Sequence, residues 1–183
     1  MRDTDTLRSR IQRQTLRDEL VKTEWNVFLT LLFHRYYPLE VGHKLIHRWD
    51  GLVNSELVGR RYNKDTNSNK RMVYFGCSGF DGQKHLHTHL LIKVPLEWKR
   101  REFEGVFEES FRSVGEGDRV RRKGKYRFRG KVYFSPNDKG FFDKTDTENI
   151  VSYTTLHRHL GLDNRGLLDT SSIVFSNNYE MKM

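Results

Sequence analysis

The order of apolar and polar residues divides the chain into alternating helical and extended stretches. Residues 3–23 contain neither Gly nor Pro. There Leu7, Ile11, Leu16, Leu20 and Val21 form an imperfect apolar stripe among Arg, Asp and Glu, which predicts an N-terminal helix within residues 1–23. From Trp25 to Tyr37 the period changes to two. Trp25, Val27, Leu29, Leu31 and Phe33 fall on one side and Asn26, Phe28, Thr30 and Leu32 on the other. A strand that is apolar on both faces belongs in the middle of a sheet, and Pro38 ends it. Helical spacing returns over 39–58, where Val41, Leu45, Trp49, Leu52, Val53 and Leu57 share a face. Arg60 to Lys70 is a polar loop, placed to close on a ligand. Met72 to Cys77 reads as a strand, residues 79–83 as a turn and residues 84–94 as a second strand, which together make an antiparallel hairpin. Residues 96–114 predict an amphipathic helix with Trp98, Phe103, Val106, Phe107 and Phe111 inward, stopped by Gly115-Glu116-Gly117. Asp143 to Thr147 offers N-caps for a helix over 146–160, closed by Gly161. A short strand, Ser172 to Phe175, and a frayed tail over 176–183 complete the chain.

Composition narrows the class. The 183 residues suit one domain, and twelve Phe, eight Tyr and three Trp can fill its core. A single cysteine, Cys77, excludes an internal disulfide framework and a Cys-rich zinc module, and a reducing compartment is the simplest inference. No apolar run approaches the roughly 18 residues that span a bilayer, and the polar N-terminus is no secretory signal. A formal net charge of +9 favours a polyanionic partner, nucleic acid before a membrane surface.

Chemistry concentrates in Lys84-His85-Leu86-His87-Thr88-His89-Leu90-Leu91-Ile92-Lys93. Side chains alternate along a strand, so His85, His87 and His89 point the same way, each about 7 Å from the next. Three imidazoles in a row make either a metal site or a wet polar stripe. A second cluster runs from Arg119 to Lys131, where cations alternate with Tyr126 and Phe128. Arg121, Arg122, Lys123, Lys125, Tyr126, Arg127, Phe128 and Arg129 suit single-stranded nucleic acid, whose bases stack on rings while phosphates meet cations. The alternative is an edge strand blunted by charge.

Three segments resemble the rolling-circle replication initiators of the HUH endonuclease superfamily. Phe28-Leu29-Thr30-Leu31 looks like their first motif. His85-Leu86-His87-Thr88-His89-Leu90-Leu91-Ile92 looks like their second, histidine–hydrophobe–histidine. Asn149-Ile150-Val151-Ser152-Tyr153 looks like the helical run into their third. Two registers fit the second motif, His85 with His87 or His87 with His89. The third motif usually continues Tyr-x-x-Lys, whereas Leu156 stands at that lysine's place and His157 follows.

The resemblance implies Tyr153 as nucleophile and a divalent metal, Mn²⁺ or Mg²⁺, on His87 and His89. His85 and His157 are candidates for a further ligand, and His157 alternatively for a proton donor. It also implies an α+β fold with a central, mainly antiparallel sheet of the HUH/RRM kind, helices packed on it. The activity implied is site-specific nicking and joining of single-stranded DNA at an origin or hairpin, starting rolling-circle replication of a small virus or plasmid in the host-cell cytoplasm. No Gly-x-x-x-x-Gly-Lys-Ser/Thr loop is present, so unwinding would fall to a host helicase or to supercoiling, and extension to a host polymerase. Rivals are a single-tyrosine transposase or relaxase and a non-catalytic nucleic-acid binder. A cupin-like oxygenase wants a Glu near position 93, where Lys93 stands, and a metallohydrolase of the His-x-His-x-Asp-His type wants an Asp that is lacking.

Overall fold

Strand β1 (Val27–Phe33) lies inside the sheet because both its faces are apolar, and its burial alternates between full and partial. The computed structural model describes residues 7–33, 37–80, 85–98, 100–116, 128–134, 142–155 and 170–176. β1 pairs antiparallel with β3 (Leu86–Lys93) on one flank and with β4 (Phe128–Phe134) on the other. β3 pairs antiparallel with β2 (Val73–Phe80), and β2 with the short β5 (Ile173–Phe175). The five strands run in the order β4-β1-β3-β2-β5, which puts the histidine-bearing β3 in the centre. The protein is therefore α+β with an antiparallel sheet.

Helices cover both faces rather than one. Val27, Leu29, Leu31 and Phe33 of β1 join Leu86, Leu90 and Ile92 of β3 in a core under α2 (Leu39–Val58) and α3 (Arg100–Glu116). Trp49 and Phe107 meet edge to face at its centre, with ring centroids 4.6 Å apart. The opposite face packs Phe75, Cys77 and Leu91 against Leu16 and Leu20 of α1 (Leu7–Val21) and Val151 of α4 (Lys144–Thr154). Each large apolar side chain so buried contributes about 1.5–3 kcal/mol.

Local signals set the element ends. Gly59 closes α2 at φ 97°, a conformation that L side chains rarely adopt, and its N–H donates to Ser55 O at 3.0 Å. Asp143 is the N-cap of α4, its carboxylate accepting from the Asp146 N–H at 2.7 Å. Asn26 locks the start of β1 to the end of β3. Its side-chain amide donates to Val94 O at 2.8 Å and its Oδ1 accepts from Val94 N at 2.9 Å. Phe142 N donates to Trp25 O at 2.9 Å, which brings the start of α4 to the mouth of β1.

Several boundaries differ from the expected ones. β3 begins at Leu86, so His85 precedes the strand instead of lying on it. β2 continues to Phe80, through the expected turn at residue 79. α3 starts at Arg100, because Pro95 first makes a turn in which Trp98 N donates to Pro95 O at 3.1 Å. The loop over 60–70 contains a 3-10 helix at Asp65–Lys70, with Asn67 tied back to Arg61 O at 3.0 Å. α4 runs from Lys144 to Thr154, while residues 156–160 of the expected helix and the expected stop at Gly161 lie outside the described residues. Ser176, expected in a frayed tail, is buried against β2, its N–H donating to Tyr74 O at 3.1 Å; residues 177–183 lie outside the described ones. On α1 the buried stripe is Ser9, Arg13, Leu16 and Leu20, whereas Leu7 and Ile11 are exposed.

Candidate active site

Alternation along β3 sends His87, His89 and Leu91 to the α1/α4 face and Leu86, Thr88, Leu90 and Ile92 to the α2/α3 face. His89 stands opposite Thr30 of β1 and Cys77 of β2, and His87 opposite Leu32 and Gly79. The His87 and His89 ring centroids are 5.4 Å apart, at 69°. Thr30 Oγ1 lies 3.0 Å from His89 Nδ1, and the ring is 4% exposed. Phe28 stacks nearly parallel to His89, at 5.8 Å and 10°.

Tyr153 reaches this group from α4. Its ring is 4.9 Å from that of His89, edge to face, and 6.1 Å from that of Phe28. It is 42% exposed, so the phenol is within reach of a molecule from outside while its ring leans on the histidine. Residues far apart in the chain, Thr30, His87, His89 and Tyr153, are thus brought together by two adjacent strands and one helix.

The last turn of α4 is held from α1. Arg17 Nε donates to Thr155 Oγ1 at 2.8 Å, and its Nη2 lies 3.4 Å from the Thr155 carbonyl. Burial, followed by the nearby Arg13 guanidinium, lowers the Arg17 pKa from its ordinary value. A guanidinium nevertheless stays charged at neutral pH.

The donor set fits a divalent cation as a two-imidazole site with its other positions open. Metal-bound histidine commonly passes its second nitrogen to an outer-shell partner, and Thr30 occupies that place. In the tautomer whose Nδ1–H donates to Thr30 Oγ1, Nε2 of His89 is the nitrogen whose lone pair is left for a metal. Among the described residues no three His, Cys, Asp or Glu side chains converge as a metal site, and His85 precedes β3. His157 lies outside the described residues. Cys77 is fully buried and burial pushes its thiol pKa up, which keeps it protonated.

Of the expected nucleic-acid contacts, Phe128 and Arg129 fall on β4, an edge strand, opposite Phe33 and Leu32 of β1. Arg121, Arg122, Lys123, Lys125, Tyr126 and Arg127 lie outside the described residues. No described helix is long and apolar enough to cross a membrane.

Sequence inspection missed a polar seam on the opposite face. His43 Nε2 lies 3.0 Å from Ser78 Oγ, which lies 2.8 Å from Thr88 Oγ1, between the two site histidines in sequence. One turn along α2, His47 Nδ1 lies 2.9 Å from the Tyr74 hydroxyl. Burial, with His47 next, lowers the His43 pKa, and burial lowers that of His47, which favours the neutral imidazole at both. Burial raises the Asp50 carboxyl to about 7, with Arg71 and the Asn54 amide pulling it back. The signal was present in the spacing of His43, His47, Asp50 and Asn54 at 4-3-4, one line along a helix. No family model, no curated protein and no solved structure matches this chain.

Proposed function

We propose that this chain is a metal-dependent, single-tyrosine endonuclease and strand transferase acting on single-stranded DNA, of the kind that initiates rolling-circle replication. One observation carries it: an accessible tyrosine on α4 packs its ring 4.9 Å from an oriented histidine of a His-x-His strand. A divalent ion, Mn²⁺ or Mg²⁺, would be held by His87 and His89 and would supply Lewis acidity at the scissile phosphate. Tyr153 Oη attacks phosphorus, forming the phosphotyrosine bond at the 5′ side as the bond to the 3′ oxygen breaks. The phenolic proton is lost to water or base, and the departing oxygen takes up a proton to become a 3′-OH. Attack of a 3′-OH on the phosphotyrosine reverses these steps and frees Tyr153, so joining needs no nucleotide cofactor. Thr30 keeps His89 in one orientation, and Phe28 walls the site beside both rings.

Unwinding and extension would be supplied by a host helicase and polymerase. Transposases and relaxases share the cleavage step and differ in the DNA they recognise. The test is a 5′-labelled and a 3′-labelled single-stranded oligonucleotide incubated with and without Mn²⁺. Unaltered protein should leave a covalent adduct carrying the 3′ fragment. Tyr153→Phe should abolish the adduct and retain binding, and His87→Ala should lose the dependence on metal with most of the cleavage. An adduct that persists in Tyr153→Phe would refute the assignment. Binding with no adduct under any metal would reduce the protein to a nucleic-acid binder.

A further inference from the structure

α4 has 11 residues, about 16 Å of helix. A helix that short does not hold itself in water, so its place on the sheet depends on what pins it. Three anchors are visible. At the N-terminal end, Asp143 caps the helix and Phe142 N is bonded to Trp25 O. In the middle, Val151 is buried with Leu16 and Leu20. At the C-terminal end, two residues past Tyr153, stands Thr155, fully buried and met by Arg17.

This third anchor has a fixed polarity. Thr155 Oγ1 donates to Val151 O at 2.8 Å, so toward Arg17 it accepts. The chain of bonds therefore runs from guanidinium to hydroxyl to helix carbonyl. The second guanidinium nitrogen faces the Thr155 carbonyl, one of the last-turn groups that no helical N–H can satisfy. A cation beside the last turn of a helix is also favoured by the helix dipole. Thr154 Oγ1 donates to Ile150 O at 2.7 Å, so both threonines fold back on the turn that carries Tyr153.

We infer that Arg17 is a positioning residue for Tyr153: by gripping Thr155 at two points it fixes the last turn of α4 against α1, and thereby sets the approach of the tyrosine ring to His89. It does not touch the reacting atoms. As a statement about geometry it stands on the contacts above; as a statement about catalysis it rests on the proposed nuclease activity. Misplacing a reacting group by about 1 Å costs on the order of a hundredfold in rate, so a loosened last turn should slow adduct formation by about tenfold to a hundredfold.

The test uses the full chain and two kinds of readout. Arg17→Met keeps the length of the side chain and removes the fork; Thr155→Val removes the hydroxyl from the other side and serves if the arginine variant folds poorly. In the protein alone, without metal or DNA, either variant should speed amide exchange over residues 151–155 and weaken the proton–proton Overhauser contact between the Tyr153 and His89 rings. With Mn²⁺ and a single-stranded oligonucleotide, adduct formation should slow by the stated factor while binding affinity changes less than threefold. The double variant should be no slower than the worse single one. Arg17→Lys, which restores the charge without the fork, should recover little of the ring contact. An unchanged ring contact in Arg17→Met and Thr155→Val, or its full recovery in Arg17→Lys, would overturn the inference. If unaltered protein forms no adduct, the nuclease proposal fails and the ring contact still decides whether Arg17 is the clamp.

Discussion

Thr30→Val is the most informative single change at the site. It keeps the volume and β-branched shape that suit β1 and deletes one oxygen, the one 3.0 Å from His89 Nδ1. His89 is 4% exposed, so water has little room to replace it. Leaving a buried polar nitrogen without its partner costs about 1–3 kcal/mol. Loss of an outer-shell partner lowers metal affinity by about 10- to 100-fold, which at about 1.4 kcal/mol per decade is of the same size. Both effects come from the loss of one contact, the hydrogen bond between Thr30 Oγ1 and His89 Nδ1 that orients the ring. Urea denaturation of metal-free protein should show a loss of about 1–3 kcal/mol. Calorimetric titration with Mn²⁺ should show affinity about 10- to 100-fold weaker, and Thr30→Ser should regain most of it. If Thr30→Val binds Mn²⁺ as tightly as the unaltered protein, the threonine does not orient the histidine as a ligand.

Other changes test other parts of the structure. Burial raises Asp50 from 3.8 to about 7, so the folded chain holds a proton that the unfolded chain releases between those values. Stability therefore falls as pH rises from about 4 to about 7, by on the order of 2–4 kcal/mol, the lower figure because the side chain keeps some contact with water. Asp50→Asn should remove that dependence, gaining stability at pH 8 and changing little near pH 4 when urea curves are compared. At Gly76 an added methyl would press on the Leu90 side chain, on the His89 carbonyl oxygen at 2.9 Å and on Val174 at 3.2 Å. Gly76→Ala should cost about 1–3 kcal/mol by overpacking, read as a lower urea midpoint with an unchanged slope.

What the linear chain reveals depends on how local the cause is. The two-faced apolar run around Leu29 and Leu31 is a local property, and β1 lies inside the sheet as its pattern implies. The capping choice was legible to within a few residues, because Asp143 needs only its own next turn to act. α1 misled because burial there follows its neighbours rather than its hydropathy. Arg13 is covered while Leu7 and Ile11 are bare, as no pattern of apolar letters would suggest. Placing β3 by its hydrophobes was sound, but the strand starts one residue later than His85, and a strand's limits depend on its partners. The link from Arg17 to Thr155 joins residues 138 apart, and nothing short of the folded chain announces it. The spacing of His43, His47, Asp50 and Asn54 is local, yet polar residues on an amphipathic helix ordinarily mark its wet side, and only the folded chain shows that His43 faces Ser78 and His47 faces Tyr74.

The two-sidedness of β3 limits how this segment can change over time. His87, His89 and Leu91 occupy one parity of positions, and Leu86, Thr88, Leu90 and Ile92 the other. Inserting or deleting a single residue there would turn the imidazoles toward the α2/α3 core and put leucines beside Thr30, Phe28 and Tyr153 in their stead. Length variation within this strand is therefore tolerable only in steps of two, and a lineage that drifts by one must rebuild both its interior and its site at once.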